Sequence, residues 1–152
     1  RLIEINNEIN DFFYKNKKLK RVKNKTKTKF LELKTPNGLL VQIGRNHIQN
    51  EIISIKKARP GDIWFHAQAC PGSHIVLKES IKQAEEEDIQ TAANLAALFS
   101  RGRGNSRVPI IKVSTNKLKK IRGSIAGTVT YQGGKVLWGI PSKAEKFLKE
   151  FN

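Results

Sequence analysis

Two short apolar runs in residues 30–44, "FLELKTPNGLLVQIG", are separated by Pro36-Asn37-Gly38. Asn-Gly supplies the positive φ angles of a tight turn, so the pattern predicts an antiparallel hairpin. In "RNHIQNEIISIKKA" the spacing puts Ile48, Ile52 and Ile55 on one side of a short helix that Pro60-Gly61 ends. Residues 62–78, "DIWFHAQACPGSHIVLK", read as two strands around Cys70-Pro71-Gly72-Ser73. Successive strand residues face opposite sides, so Ile63, Phe65, Ala67, Ile75 and Leu77 form a core face. Asp62, Trp64, His66, His74, Val76 and Lys78 form the other face, expected to point outward, with His66 and His74 opposite each other.

The clearest helix lies in "EEEDIQTAANLAALFSRGRG", with Glu85–Asp88 in its first turn, Arg101 in its last and Gly102 as a stop. A strand at Val108–Ser114, a basic connection over 115–123 and a hairpin turning at Gly133-Gly134 follow. "SKAEKFLKEF" predicts a C-terminal helix capped by Ser142. Strands and helices mix without regular alternation. The expected fold class is therefore α+β, a mainly antiparallel sheet with one central alanine-rich helix and short flanking helices. Ahead of this body, Leu2, Ile5, Ile9 and Phe12 step by three and four residues, the seam of a coiled coil or the stripe of one amphipathic helix. The lysine-dense, acid-free segment after it predicts a solvated linker. The expected division is 1–13 for the seam, 14–29 for the linker, 30–141 for the domain and 142–152 for the last helix.

Charge changes the picture more than any single motif. Among 152 residues, 29 Lys and Arg stand against 13 Asp and Glu, a formal net charge of +16. Such a balance points to an anionic partner, above all nucleic acid. One cysteine excludes an internal disulfide. The most apolar run, residues 92–99, is too short to span a bilayer, and no signal peptide is read. No membrane partner and a cytoplasmic location are expected. The chain begins at Arg1, and attachment to further domains before it is expected.

The residues of 62–78 invite three chemistries. His66, Cys70 and His74 are evenly spaced and of ligand type, but Pro71-Gly72 breaks any helix that would align them, and no CxxC or HExxH is present. Ser73 with His66 or His74 and Asp62 contains the residue types of a hydrolytic triad, without a GxSxG elbow. Both imidazoles could equally serve local hydrogen bonds. The remaining reading is recognition: Trp64, His66 and His74 offer ring faces to bases, and the Gly72-Ser73 backbone allows close approach of a phosphate. From Arg101 to Arg122 the chain holds eight basic residues and no acid, including Arg103, Arg107, Lys117, Lys119 and Lys120, and its glycines predict a mobile loop with exposed N–H groups. Arg45, Asn46, Gln49 and Asn50 add groups that cap a helix or read an RNA edge. No catalytic residue, metal or cofactor is assigned, and no enzyme activity is expected.

"IGRNHIQNE", "ARPGDIWFHAQACPGSHIVLK", "AANLAALFSRGRGNSRVPI" and "VTYQGGKVLWGIP", in that order, resemble the NFACT-R domain. That domain is the C-terminal RNA-binding part of a family that includes bacterial fibronectin-binding-protein-A-like proteins and the eukaryotic nuclear export mediator factor. The similarity covers roughly residues 30–141. It implies a part in ribosome-associated quality control, with tRNA and the large ribosomal subunit and its ribosomal RNA as partners, and a preceding coiled coil. Matched by position, Gly44, Arg45, Asn46, Gln49 and Asn50 carry one family motif; Asp62, Trp64, His66, Pro71, Gly72, Ser73 and His74 carry the other. Where members have G-A-K-P-G, this chain has "GSIAG" (residues 123–127), and no family contact is assigned there. A metal-dependent or Ser/His hydrolase and a fibronectin-binding surface adhesin are the alternatives.

Overall fold

A computed structural model describes residues 28–80 and 82–151. The predicted seam at residues 2–12, and the linker up to residue 27, lie outside the described residues. The body is a six-stranded sheet in the order β1-β2-β4-β3-β5-β8, with every neighbouring pair antiparallel. Its strands are β1 (Leu31–Lys34), β2 (Leu40–Ile43), β3 (Ile63–Ala67), β4 (Ile75–Leu77), β5 (Val108–Ser114) and β8 (Lys135–Gly139). A separate hairpin pairs β6 (Leu118–Lys120) with β7 (Val129–Tyr131), so the hairpin expected to turn at Gly133-Gly134 does not form: β8 pairs with β5 instead. Three α-helices complete the described residues: α1 (His47–Glu51), α2 (Glu86–Leu98) and α3 (Pro141–Phe151). The α+β class with an antiparallel sheet is what the sequence predicts.

Period-two patterning builds one face of the sheet. Leu33, Val41, Ile43, Phe65, Ala67, Ile75, Leu77 and Ile110 point to a single layer covered by α2. The alanines of α2 let its backbone come close: a Cβ on Gly139 would sit 2.4 Å from the Ala93 carbonyl and 2.8 Å from Ala97 Cβ. Asp88 anchors the helix start by accepting from the Glu85 N–H (3.0 Å) and from Asn37 N (3.2 Å), which ties the β1–β2 turn to it. Gly38 carries the positive φ (+85°) that this turn needs. α3 begins at Pro141, a residue suited to the first helical position, so Ser142 lies inside the helix rather than capping it. Ala144 and Leu148 join the same core.

Two expectations about helices change. α2 ends at Leu98, and Arg101 belongs to a separate 3-10 turn, Arg101–Gly104, outside its last turn. Ser100 drives that break: its Oγ donates to Ala97 O (2.7 Å) and accepts from Gly102 N (3.1 Å). Further on, α1 widens into a π-turn at Ile52–Lys56, where Lys57 N donates to Ile52 O (2.7 Å). The extra residue per turn shifts the phase, so Ile53 is the fully buried isoleucine, while Ile48, Ile52 and Ile55 are half-buried. No helix among the described residues is long and apolar enough to cross a membrane.

Candidate nucleic-acid interface

The second face of the sheet is covered where it was expected to be open. α1, its π-turn and the β6–β7 hairpin lie over β3, β4 and β5, enclosing Ile53, Trp64, Val76, Ile111, Val113 and Leu118. Trp64 is only 3% exposed. Strand alternation sorts the two faces correctly, but it cannot say which face receives a second layer.

At one end of this face lie Asp62 and Lys78, both buried and paired with each other. Asp62 also accepts from Arg59 N (2.8 Å) and Ser80 N (3.3 Å). Burial would raise its pKa, but the bonds from Lys78, Arg59 and Ser80 hold its carboxyl below the usual aspartate range. This pair belongs to the interior and fixes the loops before β3 and after β4.

Next comes the "GRNHIQN" motif, whose amide oxygens are engaged internally. Asn46 Oδ1 accepts from Gln49 N (2.8 Å) as the helix cap, and Gln49 Oε1 accepts from Arg45 N (2.8 Å). Asn50 Oδ1 accepts from the backbone N–H of His74 (3.2 Å). Gly44 is required beside it, since a Cβ there would lie 2.1 Å from Asn50 Oδ1. Arg45 Nη2 donates to Lys29 O (2.9 Å). Asn46, Gln49 and Asn50 thus cap the helix and position their neighbours through their amide oxygens.

At the centre are the rings. His66 and His74 face each other across the β3–β4 pair, as the register predicts. His66 stacks parallel on Trp64, with 3° between the planes and 5.5 Å between centroids. His74 stands edge-on to both, 5.2 Å from Trp64 and 5.3 Å from His66. Tyr131 of β7 leans over Trp64 at 5.6 Å and 46°. Together they line an open cavity of about 430 Å³, with Gln68, Cys70, Pro71 and Ile111 on the sheet side and Gly127, Thr128 and Val129 on the hairpin side. Burial pushes the His74 pKa well below that of a free imidazole, and the nearby His66 pushes it further. Burial lowers His66 too, against backbone bonds at Ala67 and Gly72 that pull the other way. Both shifts favour the neutral imidazole.

Neither a metal site nor a triad is assembled from these residues. No group of three His, Cys, Asp or Glu among the described residues could hold a metal. The hydroxyl bonded to His74 Nδ1 belongs to Ser54 (2.8 Å), while Ser73 Oγ is buried without a partner. Gly72 packs closely on the turn after α2, since a Cβ there would lie 2.9 Å from Ser100 Cβ. The 3-10 turn at Arg101–Gly104 likewise corrects the expected mobile loop. Its Gly102 and Arg103 N–H groups are taken by Ser100, and Arg101 N donates to Pro71 O at the cavity rim (2.9 Å).

The hairpin roofing the cavity carries the charge. Lys117, Lys119, Lys120 and Arg122 are exposed on residues 117–131, where no acid occurs. Glu51, buried beneath it, accepts from Lys120 Nζ and Gly127 N, both at 3.1 Å. Burial would raise the Glu51 pKa, but the Gly127 N–H and Lys120 bring it below the ordinary glutamate value. Gly127 has φ +83°, and its Cβ would lie 2.7 Å from His47 O, so the "GSIAG" segment docks by its backbone. Beyond the covered region, β8 leaves Val136 and Trp138 about half exposed on the same sheet face, with the Arg107 guanidinium 3.9 Å above the Trp138 ring. Glu51, Tyr131 and Trp138 were not singled out from the sequence. Trp138 had a signal, since it alternates with Leu137 on an edge strand.

Such a basic α+β domain, with rings gathered under a cationic hairpin, has the makeup of a nucleic-acid-binding module. The chain belongs to the NFACT protein RNA binding domain family, whose model matches residues 29–133. It is 36% identical over 111 residues to the Rqc2 homolog RqcH of Streptococcus suis, covering 73% of this chain and 20% of that protein. To the Rqc2 homolog RqcH of Bacillus subtilis it is 35% identical over 105 residues, 69% of this chain and 18% of the relative. The chain thus spans about a fifth of the curated relatives it matches. Among solved structures it is similar to the C-terminal part of the fibronectin/fibrinogen-binding protein from Streptococcus suis. The TM-score is 0.74 at 32% identity, over 92% of this chain and 58% of that one.

Proposed function

We propose that this chain is the RNA-binding module of a ribosome quality control factor, with tRNA and large-subunit ribosomal RNA as its ligands, acting in the cytoplasm. The names of the RqcH relatives support the setting. The observation that carries the RNA reading is the acid-free hairpin holding Lys117, Lys119, Lys120 and Arg122 over a cavity walled by aromatic rings. Cations of that kind bind the phosphate backbone without regard to sequence, while rings take unpaired bases. Arg101 and Arg103, in the turn beside Pro71, and Arg107, on Trp138, extend the positive surface from the cavity toward β8. In this reading the RNA-binding unit spans residues 30–141. Asn46, Gln49, Asn50, Asp62 and Lys78 hold the surface in place from beneath.

Electrophoretic shift of tRNA at rising salt tests the proposal. Binding at low salt that weakens steeply toward 200 mM is expected, and absence of binding at 50 mM would sink it. A second reading, attachment to fibronectin or fibrinogen, is favoured only by the name of the Streptococcus suis protein. Salt-independent capture of fibronectin by a protein that ignores tRNA would support it.

A further inference from the structure

We propose that the cavity beneath the β6–β7 hairpin is a pocket for a single unstacked nucleobase. This rests on the RNA-binding reading and names the part of the RNA that the site takes.

The walls suit a planar, uncharged heterocycle. Four of the twelve lining residues are ring-bearing: Trp64, His66, His74 and Tyr131. Trp64 and His66 are parallel to within 3°, and His74 stands at 83° and 85° to them, so the cluster offers both a ring face and ring edges. Its volume, about 430 Å³, falls in the range of small-molecule sites, roughly 300–1,000 Å³. No Lys, Arg, Asp or Glu lines it, and burial disfavours the charged form of both imidazoles, so the lining suits an uncharged group better than a phosphate. The cations stand outside instead, on β6 and at Arg101, where a sugar–phosphate chain entering and leaving the pocket would run.

Polar groups for a base edge are present in small number. Gln68 is exposed on the lining and carries a carboxamide, which both donates and accepts. The Thr128 hydroxyl belongs to a lining residue on the hairpin side and also both donates and accepts. The Trp64 indole Nε1 is buried with no hydrogen-bond partner, so the ring cluster does not complete its own polar bonding. A wall of rings with few polar groups and a cationic rim is how unpaired bases are held. Paired bases cannot enter, because their faces are already stacked.

Cys70, the single cysteine of the chain, lines the cavity and is half-buried, which provides a direct reporter. The rate of its alkylation by a small maleimide would be measured with a blunt-ended RNA duplex carrying one bulged nucleotide, and with the same duplex fully paired. At about ten times Kd the bulged RNA should slow the reaction about ten-fold, since only unoccupied pockets react. The paired duplex, although bound through its phosphates, should leave the rate unchanged. Equal protection by the two RNAs, or binding of both with no protection, overturns the pocket while leaving RNA binding intact. Failure of both RNAs to bind overturns the RNA reading itself. Tyr131, 39% exposed at the lip, gives an independent check. Tyr131→Ala should weaken the bulged RNA by about five- to a hundred-fold, the range for one base-stacking aromatic. Tyr131→Phe should restore most of that loss, and the paired duplex should be indifferent to both. Equal weakening of the two RNAs by Tyr131→Ala would refute the pocket.

Discussion

Lys120 donates to the Glu51 carboxylate at 3.1 Å, joining residues 69 positions apart in the chain and fastening the cationic hairpin to α1. The Gly127 N–H makes a second bond to the same carboxylate, so one acid holds both β6 and the connection that leads into β7. Glu51→Ala should strip the hairpin of its anchor. The variant leaves the Gly127 N–H without its acceptor, a loss of about 1–3 kcal/mol. Lys120 is about half exposed and regains water, so little is added from its side. Urea unfolding should show the loss, and tRNA affinity should fall with it although no RNA contact has been removed. A variant as stable and as tight as the parent would mean the hairpin is held by other contacts.

The two tryptophans should behave in opposite ways. Trp64 is 3% exposed and packs with Ile53, Val76, Ile111 and Val113, whereas Trp138 is 47% exposed on the edge strand. Trp64→Ala should therefore cost about 3–5 kcal/mol of stability, as large core truncations do. Any loss of RNA binding would then be inseparable from unfolding. Trp138→Ala should leave the melting curve close to the parent's and weaken RNA binding by about 1–3 kcal/mol, the worth of one base-stacking aromatic. A stable Trp64→Ala protein with selectively lost RNA binding would reverse these assignments.

That contrast shows where the sequence was informative. Strand alternation in residues 62–78 separated Phe65, Ile75 and Leu77 from Trp64, His66 and His74, and the β3–β4 register placed His66 opposite His74. The Asn37-Gly38 turn and the Val108–Ser114 strand were equally legible, because local residue chemistry decides them. The second layer was not legible. Whether Trp64 meets solvent depends on a hairpin that begins more than 50 residues later, and on a π-turn that rotates Ile53 inward. Strand alternation put Asp62 and Lys78 on the face expected to be open, since a buried ion pair is recognised only once both partners are placed. Glu51 was not singled out at all, because its role appears only with Lys120 and Gly127 above it.

The buried imidazoles predict a pH dependence of stability above the carboxylate range. A folded pKa below 6.5 means that, as pH falls, the unfolded chain takes up protons before the folded one does. The contribution of neutral His66 and His74 is thus complete above about pH 7 and is lost as pH falls from 6.5 toward their folded values. Glu51, Asp62 and Asp88 have folded pKa values below 4.5, 3.8 and 3.8, so their contributions are lost only in more acid solution. Melting temperatures between pH 7.5 and 5 should fall for the parent protein. They should fall less for His74→Gln, even if that variant starts from a lower value. An equal slope for both proteins would show that His74 does not titrate in this window.

Removing the hairpin's cations should change the salt dependence of RNA binding more clearly than its strength at any one condition. Each phosphate neutralised contributes about 0.7–0.9 to the slope of log K against log salt, because counterions are released with it. Lys117, Lys119 and Arg122 are exposed, so replacing all three with glutamine should leave the fold unchanged. If each meets a phosphate, the slope should become shallower by about 2–3, in proportion to the charges removed. Glutamine at Lys143, Lys146 and Lys149 of α3, on the opposite side of the sheet, removes as much charge and should leave the slope nearly as it was. Shallower slopes of similar size from both triple variants would mean that RNA senses only the net charge of the chain. A change confined to the hairpin variant would locate the phosphate contacts over the ring cavity.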